Sequence, residues 1–401
     1  MLDGDKTEDG VDRDALVAAA TDSKLIKEGY TAENHLLATE TDNSQKIVTL
    51  VVWMPTTVGN EANHQTGATA PSIDLGINVV ATQYTYETDS FNNTYDEDDP
   101  LDFEPVSTAA ELKAAATNGK NVLLTQDVAL TDTLTFTNPV TIDLNGKTLT
   151  SSLDNRNNYS LVTSADATIV NGTYKGTGSA RGIGAYGNLK MRNVTVDVAG
   201  LVGVACSAAN SQYTIEDSTI KSGYAVCNFN NNVKINISNS TLEGKTIGLY
   251  HNGTNSGLDL TVTGTTINAG NNGIDATGVY ISGSTQTATA GGYQKATFTD
   301  CTVKGNAAIE VKYTDLTLNN CTVTATVPAE NASYTQNDNG STTNGFAVVS
   351  TDNAINNTTP KPEGTITING GSYTGLIGLH SFAKIKEIFP GFVDTTYVIN
   401  K

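Results

Sequence analysis

From residue 140 onward the chain carries nine copies of one short pattern. In the clearest copy, residues 213–222 (YTIEDSTIKS), a stretch of alternating apolar and polar residues leads into an acidic residue and a second such stretch. The anchor residue of the copies is Thr148, Thr173, Thr195, Thr219, Thr241, Thr266, Thr302, Thr322 and, in the last copy, Ser372. Most intervals between anchors are 20–25 residues, and two are 36 and 50, which is typical of a solenoid with insertions. Because the alternation has the period of a strand, the pattern predicts a β-solenoid.

The centre of each copy holds a residue type that tolerates a left-handed backbone. These residues are Asn171, Asn193, Asp217, Asn239, Gly264, Asp300, Asn320 and Gly370. Asn, Asp and Gly adopt positive φ more readily than other residues, so each copy is predicted to be a strand, a sharp bend and a second strand. The next residue is mostly small, as in Gly172, Ser218 and Cys301, which indicates an inward position in a tight corner.

A second recurring strand precedes most copies, for example at residues 201–204 (LVGV) and 246–249 (TIGL). Two to three short strands in about 22 residues fit one rung of a parallel β-helix, with rungs about 4.8 Å apart. Residues 105–401 resemble the right-handed parallel β-helix of the pectin-lyase-like superfamily, and residues 107–115 (STAAELKAA) resemble the short helix that caps it. The resemblance implies an all-β solenoid with a cap, because an end strand otherwise exposes unpaired backbone.

The first hundred residues have a different character. Residues 46–55 (KIVTLVVWMP) and 73–83 (IDLGINVVATQ) predict two strands. With residues 59–60 (GN), Glu87, 89–91 (DSF) and 95–96 (YD), they resemble the camelysin/TasA-like family of secreted fibre proteins. The resemblance implies a small jelly-roll β-sandwich, export to the cell surface, and fibres in which one copy lends a strand to the next. We therefore expect two domains, residues 1–104, which end in an acidic linker, and residues 105–401.

The formal net charge of −19 is concentrated in residues 1–104, which hold 21 acidic and 5 basic side chains. An acidic chain repels nucleic acid and anionic membranes, so neither is predicted as a partner. The sequence has no apolar run of 18 residues, so no transmembrane helix is predicted. The first residues also lack the apolar stretch of a signal peptide, which predicts either a cytosolic protein or a mature form or fragment of a secreted one. The camelysin/TasA-like stretch favours the second.

The cysteines Cys206, Cys227, Cys301 and Cys321 have no CxxC spacing that would indicate zinc, and no cofactor is predicted. Cys301 and Cys321 occupy the same repeat position one rung apart. Buried thiols are favoured there over a disulfide, because the two side chains would point almost in parallel. His251 is expected to be a separate, solvated histidine, as is His380, rather than half of a metal-binding pair.

The search for catalytic residues leaves one constellation, Asp275, Glu310 and Lys312, because the catalytic motifs of pectin-lyase-like hydrolases and lyases are not matched at corresponding rungs. Glu310 and Lys312 should point outward from one strand, with Asp275 on the rung before. Two such carboxylates would suit glycoside hydrolysis if they lay about 5–9.5 Å apart. An outward salt-bridge ladder between rungs is the favoured alternative.

Tyrosine dominates the aromatic residues, with 16 Tyr against one Trp. Tyr186, Tyr224, Tyr250, Tyr280 and Tyr293 would stack on sugar rings, contact a protein or pack locally. The sequence predicts a secreted bacterial cell-surface protein, a structural or adhesive subunit that displays a β-helix rod. Its expected partners are copies of itself through strand exchange, surface glycans or host proteins. The alternative is an extracellular carbohydrate-active enzyme of the pectin-lyase-like type.

Overall fold

The computed structural model describes residues 2–3, 12–22, 48–49, 103–251, 257–270, 276–282, 294–334, 343–351, 364–381, 384–385 and 391–399. The chain divides into two units, Met1–Pro100 and Leu101–Lys401. In the first unit, β1 (Leu2–Asp3) pairs antiparallel with β2 (Val48–Thr49), and α1 spans Arg13–Asp22. The Asp12 side chain starts this helix by accepting the backbone N–H of Asp14 at 2.9 Å. Nearly all of the stretch that carries the predicted jelly roll, residues 46–96, lies outside the described residues.

The second unit is built almost entirely of strands. Its elements are β3 (Phe103–Val106), α2 (Ala109–Asn118), β4 (Asn121–Leu124), β5 (Val128–Leu130), β6 (Leu134–Phe136), β7 (Val140–Asp143), β8 (Thr148–Ser151), β9 (Tyr159–Thr163), β10 (Ala167–Gly176), β11 (Arg181–Ala185), β12 (Leu189–Val198), β13 (Val202–Cys206), β14 (Gln212–Glu216), β15 (Thr219–Asn228), β16 (Lys234–Ser238), β17 (Thr241–His251), β18 (Asp259–Thr263), β19 (Thr266–Ala269), β20 (Thr277–Ile281), β21 (Gln294–Thr299), β22 (Thr302–Gly305), β23 (Ala307–Lys312), β24 (Thr314–Ala325), a 3-10 turn (Ala329–Asn331), β25 (Ser333–Tyr334), β26 (Thr343–Asn344), β27 (Phe346–Thr351), β28 (Ile366–Thr374), β29 (Leu376–Ser381), β30 (Lys384–Ile385) and β31 (Gly391–Ile399).

These strands form three parallel faces that the chain visits in turn. Sheet A contains β4, β7, β14, β16, β18, β21 and the first halves of β10, β12, β24 and β28. Sheet B contains β5, β8, β19, β22, the second halves of those four bent strands and the first halves of β15 and β17. Sheet C contains β6, β9, β11, β13, β20, β23, β27, β29 and the second halves of β15 and β17. The predicted parallel β-helix is confirmed by this pairing.

The core lies inside the three sheets, and equivalent residues stack along its axis. On sheet A one such stack is Ile142, Ile169, Met191, Ile215, Ile237, Val262, Phe298, Leu318 and Ile368. Each of these side chains is at most 2% exposed. Because every rung buries its apolar face only against its neighbours, the alternation of apolar and polar residues sets which side of each strand faces inward.

The corner between sheets A and B uses the residues that the sequence singles out. The positions Asn145, Asn171, Asn193, Asp217, Asn239, Gly264, Asp300, Asn320 and Gly370 all have φ between 48° and 75°. Their side chains also bond from rung to rung, since Asn193 Nδ2 donates to Asn171 Oδ1 at 3.3 Å and Asn320 Nδ2 donates to Asp300 Oδ1 at 2.6 Å. The prediction of a left-handed bend in each copy is therefore confirmed.

The residue after this bend is buried and pairs with the corner backbone. The Ser218 N–H donates to Ser240 Oγ at 3.1 Å, and that hydroxyl donates to the Ser238 carbonyl at 2.7 Å. In later rungs the thiols of Cys301 and Cys321 take the hydroxyl's place and donate to the carbonyls two residues earlier. Both thiols are buried and free, as the repeat position predicts. A small polar side chain is favoured here because it forms hydrogen bonds with backbone N–H and C=O groups that have no backbone partner in the turn.

The first end of the solenoid is covered by α2. Thr108 and Glu111 form a reciprocal capping box, and Gly119 ends the helix in a left-handed conformation. The helix buries Leu112, Ala115 and Ala116 against the first strands. The predicted cap helix over residues 107–115 is confirmed, although it runs on to residue 118. In the last described rungs, β31 and β30 pair antiparallel with β28 and β29.

Candidate functional site

The outer side of sheet C carries a second apolar cluster that is separate from the core. Its buried members are Tyr159, Val202, Ala205, Cys227, Ile247, Tyr250 and Tyr280, with Val162, Tyr224 and Phe229 packed at its margin. The outward side of a solenoid strand normally faces water and is polar. Most of this cluster is buried, so only its exposed margin could contact a ligand.

At one end of this cluster the surface opens into a groove of about 660 Å³. The groove is lined by Thr133, Asn157, Asn158, Tyr159, Val162, Ser164, Arg181, Tyr186, Ser207, Phe229 and Asn230. These residues come from β9, β11 and the turns beside β6, β9, β11, β13 and β15, so the groove crosses several rungs. None of these lining residues is Asp or Glu, and the wall combines aromatic rings with neutral amides and hydroxyls.

Tyr159 forms the centre of the groove. Its ring lies directly against Gly184 of β11, where an added Cβ would come within 2.7 Å of the ring. The ring meets Tyr186 edge to face, with centroids 6.4 Å apart and planes at 84°, and the Arg181 guanidinium lies 5.5 Å from its centroid. Burial raises the pKa of the Tyr159 phenol, against an opposing effect of hydrogen bonds with Ser207 and Arg181, so the ring stays neutral at physiological pH.

The polar rim of the groove is held in place by its own hydrogen bonds. On one side, the turn before β9 is closed by the N–H of Asn158, which donates to the Asn155 carbonyl at 3.0 Å. The Asn158 carbonyl in turn accepts the Arg181 N–H at 2.9 Å. On the other side, Asn230 donates its backbone N–H to Asn228 Oδ1 at 2.9 Å. These bonds fix the backbone of the two turns that carry the amide side chains.

The tyrosines singled out by the sequence fall into two groups. Tyr186 is 47% exposed in the groove, whereas Tyr250 and Tyr280 are 8% and 0% exposed. The buried pair stacks at 5.8 Å with an interplanar angle of 11°, and Tyr224 tilts against Tyr250 at 5.4 Å. Local packing therefore accounts for Tyr250 and Tyr280, and Tyr186 remains available to a ligand. Tyr293 lies outside the described residues.

Glu310 and Lys312 lie on β23, and the structure buries both side chains completely. Lys312 Nζ lies 3.7 Å from Glu310 Oε1 and 5.2 Å from the centroid of the Tyr280 ring. Thr343 donates its N–H and its hydroxyl to Glu310 Oε2 at 3.0 and 2.8 Å. The expected exposed ladder between rungs is thus replaced by a covered ion pair within one strand, because the segment after β24 returns over this face through β26.

The third catalytic candidate, Asp275, lies outside the described residues, so the assignment of an acid and a base to this site stays a prediction. Glu310 has no exposed surface, and both of its carboxylate oxygens have partners in Lys312 and Thr343. This arrangement stabilises the segment that crosses sheet C.

The expectation of a solvated His251 is wrong. Its side chain is 0% exposed and lies beside Asn228, whose Nδ2 is 2.9 Å from His251 Nδ1. The two residues occupy equivalent places on consecutive rungs, in line with Cys206 and Ile281 of the core, and so face the interior. The side chain of His380 is outside the described part of the chain. Cys206 and Cys227 are buried and free, and burial raises the pKa of both thiols.

No three His, Cys, Asp or Glu side chains among the described residues come close enough together to hold a metal ion. None of the helices described is both long and apolar enough to cross a membrane.

Sequence reasoning missed three groove residues, Tyr159, Arg181 and Phe229. Tyr159 and Arg181 are aligned partners on neighbouring rungs, and Val202 follows in the same row. Extending the second recurring strand one repeat toward the N-terminus would have aligned Tyr159 with Arg181. Nothing in the sequence pattern signals Phe229, because it follows β15 and reaches the groove only through the turn of that rung.

Comparison with known proteins gives little beyond the fold described above. No family model matches the chain, and no curated protein matches it. A solved structure with a match is described as the crystal structure of the Dettilon tailspike protein (gp208). It is 11% identical with a TM-score of 0.39, and the match covers 61% of this chain and 45% of the tailspike chain. The chain thus spans less than half the length of that protein.

Proposed function

We propose that this chain is an extracellular adhesive protein whose β-helix binds a glycan in the groove on sheet C. The observation that carries the proposal is the exposed Tyr186 ring beside Tyr159 and Phe229, between two fixed rims of amides. Aromatic faces stack on the apolar face of a sugar ring, and amide and hydroxyl groups satisfy the sugar hydroxyls. A row of rungs also gives the groove the length to hold more than one sugar unit.

The groove favours binding over hydrolysis. Glycosidases of the common kinds need two carboxyl groups on either side of the scissile bond. None of the groove's lining residues has a carboxyl group, and Glu310 is buried elsewhere on sheet C. An adhesive role needs only the stacking surface and its rim, both of which are present.

A glycan array probed with the full chain tests this proposal, followed by calorimetry on the best ligand. We expect Tyr186→Ala to weaken binding about tenfold, because it removes the exposed ring that covers the sugar. Leu201→Ala is the matched control, since Leu201 is the other large exposed apolar side chain among the described residues and lies outside the groove. Equal affinity of the Tyr186→Ala variant and the wild type would contradict the site, and absence of binding to any glycan would contradict the function.

We further propose that residues 1–104 attach the β-helix to a cell surface or fibre. The support is the camelysin/TasA-like stretch over residues 46–96, which implies secretion and assembly through a strand lent by a second copy of the chain. Under this proposal the acidic first unit provides assembly, and the solenoid is displayed as a rigid rod.

A further inference from the structure

Arg181 is the cation of the groove. Its Nε atom is buried and has no hydrogen-bond partner. Arg181 forms no ion pair with another described residue. A buried guanidinium donor without an acceptor is costly, so a ligand that supplies the acceptor would be favoured.

The guanidinium is held in place before any ligand arrives. Its backbone is fixed by pairing with Tyr159 on the neighbouring rung and by the bond from its N–H to the Asn158 carbonyl. Its plane is supported by the Tyr159 ring at 5.5 Å. A side chain held this way loses little conformational freedom on binding, which increases the affinity for a matching anion.

The residues around Arg181 determine which kind of anion the groove would favour. All the other lining residues are neutral, so the groove offers one positive charge and many amide and hydroxyl groups. A single cation can pair with only one charge of a polyanion and leaves the others without a partner. A planar carboxylate matches the fork of a guanidinium in two parallel hydrogen bonds.

Resting on the proposed function, we propose that the groove is specific for a glycan that carries one carboxylated sugar among neutral ones, and that Arg181 pairs with that carboxylate. Tyr186 and Phe229 then cover the neighbouring neutral rings, and the amides of Asn157, Asn158 and Asn230 bind their hydroxyls. The single cation makes a uniformly charged polyuronate a poor ligand.

The test compares lactose, sialyllactose, a glucuronic-acid-terminated disaccharide and the carboxyl-reduced form of each acidic sugar, with a sulfated disaccharide as a further anion. We expect the full chain to bind a carboxylated sugar at least about tenfold more tightly than its reduced form. Arg181→Gln should remove that difference and leave the affinity for the reduced sugar within about twofold. Arg181→Lys should retain part of it, because a lysine keeps the charge and loses the fork.

A second variant keeps the test decisive if Arg181→Gln fails to fold. Ser164→Glu places a carboxylate in the groove that competes with the ligand for Arg181, and Ser164→Gln is the uncharged control. Because Ser164 is exposed, both variants should fold. We expect only Ser164→Glu to lose the preference for carboxylated sugars. Equal binding of acidic and reduced sugars by the wild type overturns the specificity while glycan binding stands. Preference for the sulfated sugar also overturns it, and absence of all binding overturns the proposed function with it.

Discussion

At the scale of single residues, the phenol of Tyr174 is a buried polar group whose pKa depends on folding. Its side chain is 1% exposed, and its hydroxyl is hydrogen-bonded to Ser160, which donates to the Arg181 carbonyl at 2.8 Å. Burial raises the pKa of Tyr174 to about 12, against about 10 for an unfolded chain. The folded state therefore keeps a proton that the unfolded state releases between these two values.

This difference predicts how stability changes in alkali. The stabilisation that comes from the protonated Tyr174 phenol is fully present below pH 10 and is lost as the pH rises to about 12. The free energy of unfolding should fall by about 2–3 kcal/mol over this range. Tyr174→Phe has no proton to lose, so we expect its stability to fall less over this range. Urea unfolding of both proteins between pH 9 and 12 measures the difference between their free energies of unfolding, and this difference should become smaller as the pH rises. Parallel pH curves for the two proteins would show that the phenol is not protected.

At the scale of elements, the corner between sheets A and B is the feature that the rungs share. Asp217 sits in it with φ of 48°, and its side chain is exposed. A residue with a Cβ and no local side-chain bond pays about 1–2 kcal/mol in this conformation, whereas Gly pays none. We expect Asp217→Ala to lower the free energy of unfolding by about 1 kcal/mol and Asp217→Gly to stay within a few tenths, as measured by urea unfolding. Equal losses in the two variants would assign the effect to the side chain rather than to the backbone.

The same corner explains why so much of the fold could be predicted. Asn193 and Asp217 have a left-handed backbone conformation that few residue types adopt, so their identity predicts the bend. Ile215 and Ile220 belong to an alternating apolar pattern that predicts which side chains are buried. The structure of each rung can therefore be predicted from residues close together in sequence. The groove depends on contacts between rungs instead. The Tyr159 ring packs against Gly184 of the neighbouring rung, a contact that the strand pattern does not encode. Nor does the pattern show which tyrosine a distant segment will cover. Glu310 was misjudged for that reason, because Thr343 reaches it from 33 residues away.

At the scale of the whole molecule, most of the negative charge lies in the part of the chain that precedes the solenoid. Residues 1–104 hold a formal charge of −16, whereas the remainder of the chain is near neutral and contains the groove. Repulsion of anions is therefore concentrated in the part that is proposed to assemble, and the solenoid can approach a charged glycan more closely. An interior of stacked rungs also makes the solenoid's stability a sum of nearest-neighbour terms, which suits a rod displayed at a distance.

This division predicts the behaviour of a chain that lacks residues 1–100. The solenoid carries its own cap, because α2 buries Leu112, Ala115 and Ala116 over the first strands, and both belong to the second unit. We therefore expect the shortened chain to keep its circular-dichroism spectrum and its melting temperature to within a few degrees, and to keep its affinity for glycans.

Electron microscopy of the same two samples then tests assembly. If the first unit joins copies by lending a strand, the full chain should form filaments and the shortened chain isolated rods. Filaments in both samples would place the contact on the solenoid, whose capped first end makes end-to-end stacking unfavourable, and isolated rods in both would contradict self-assembly. An unfolded shortened chain would contradict the independence of the two units, because the cap helix alone would then be insufficient to close the β-helix.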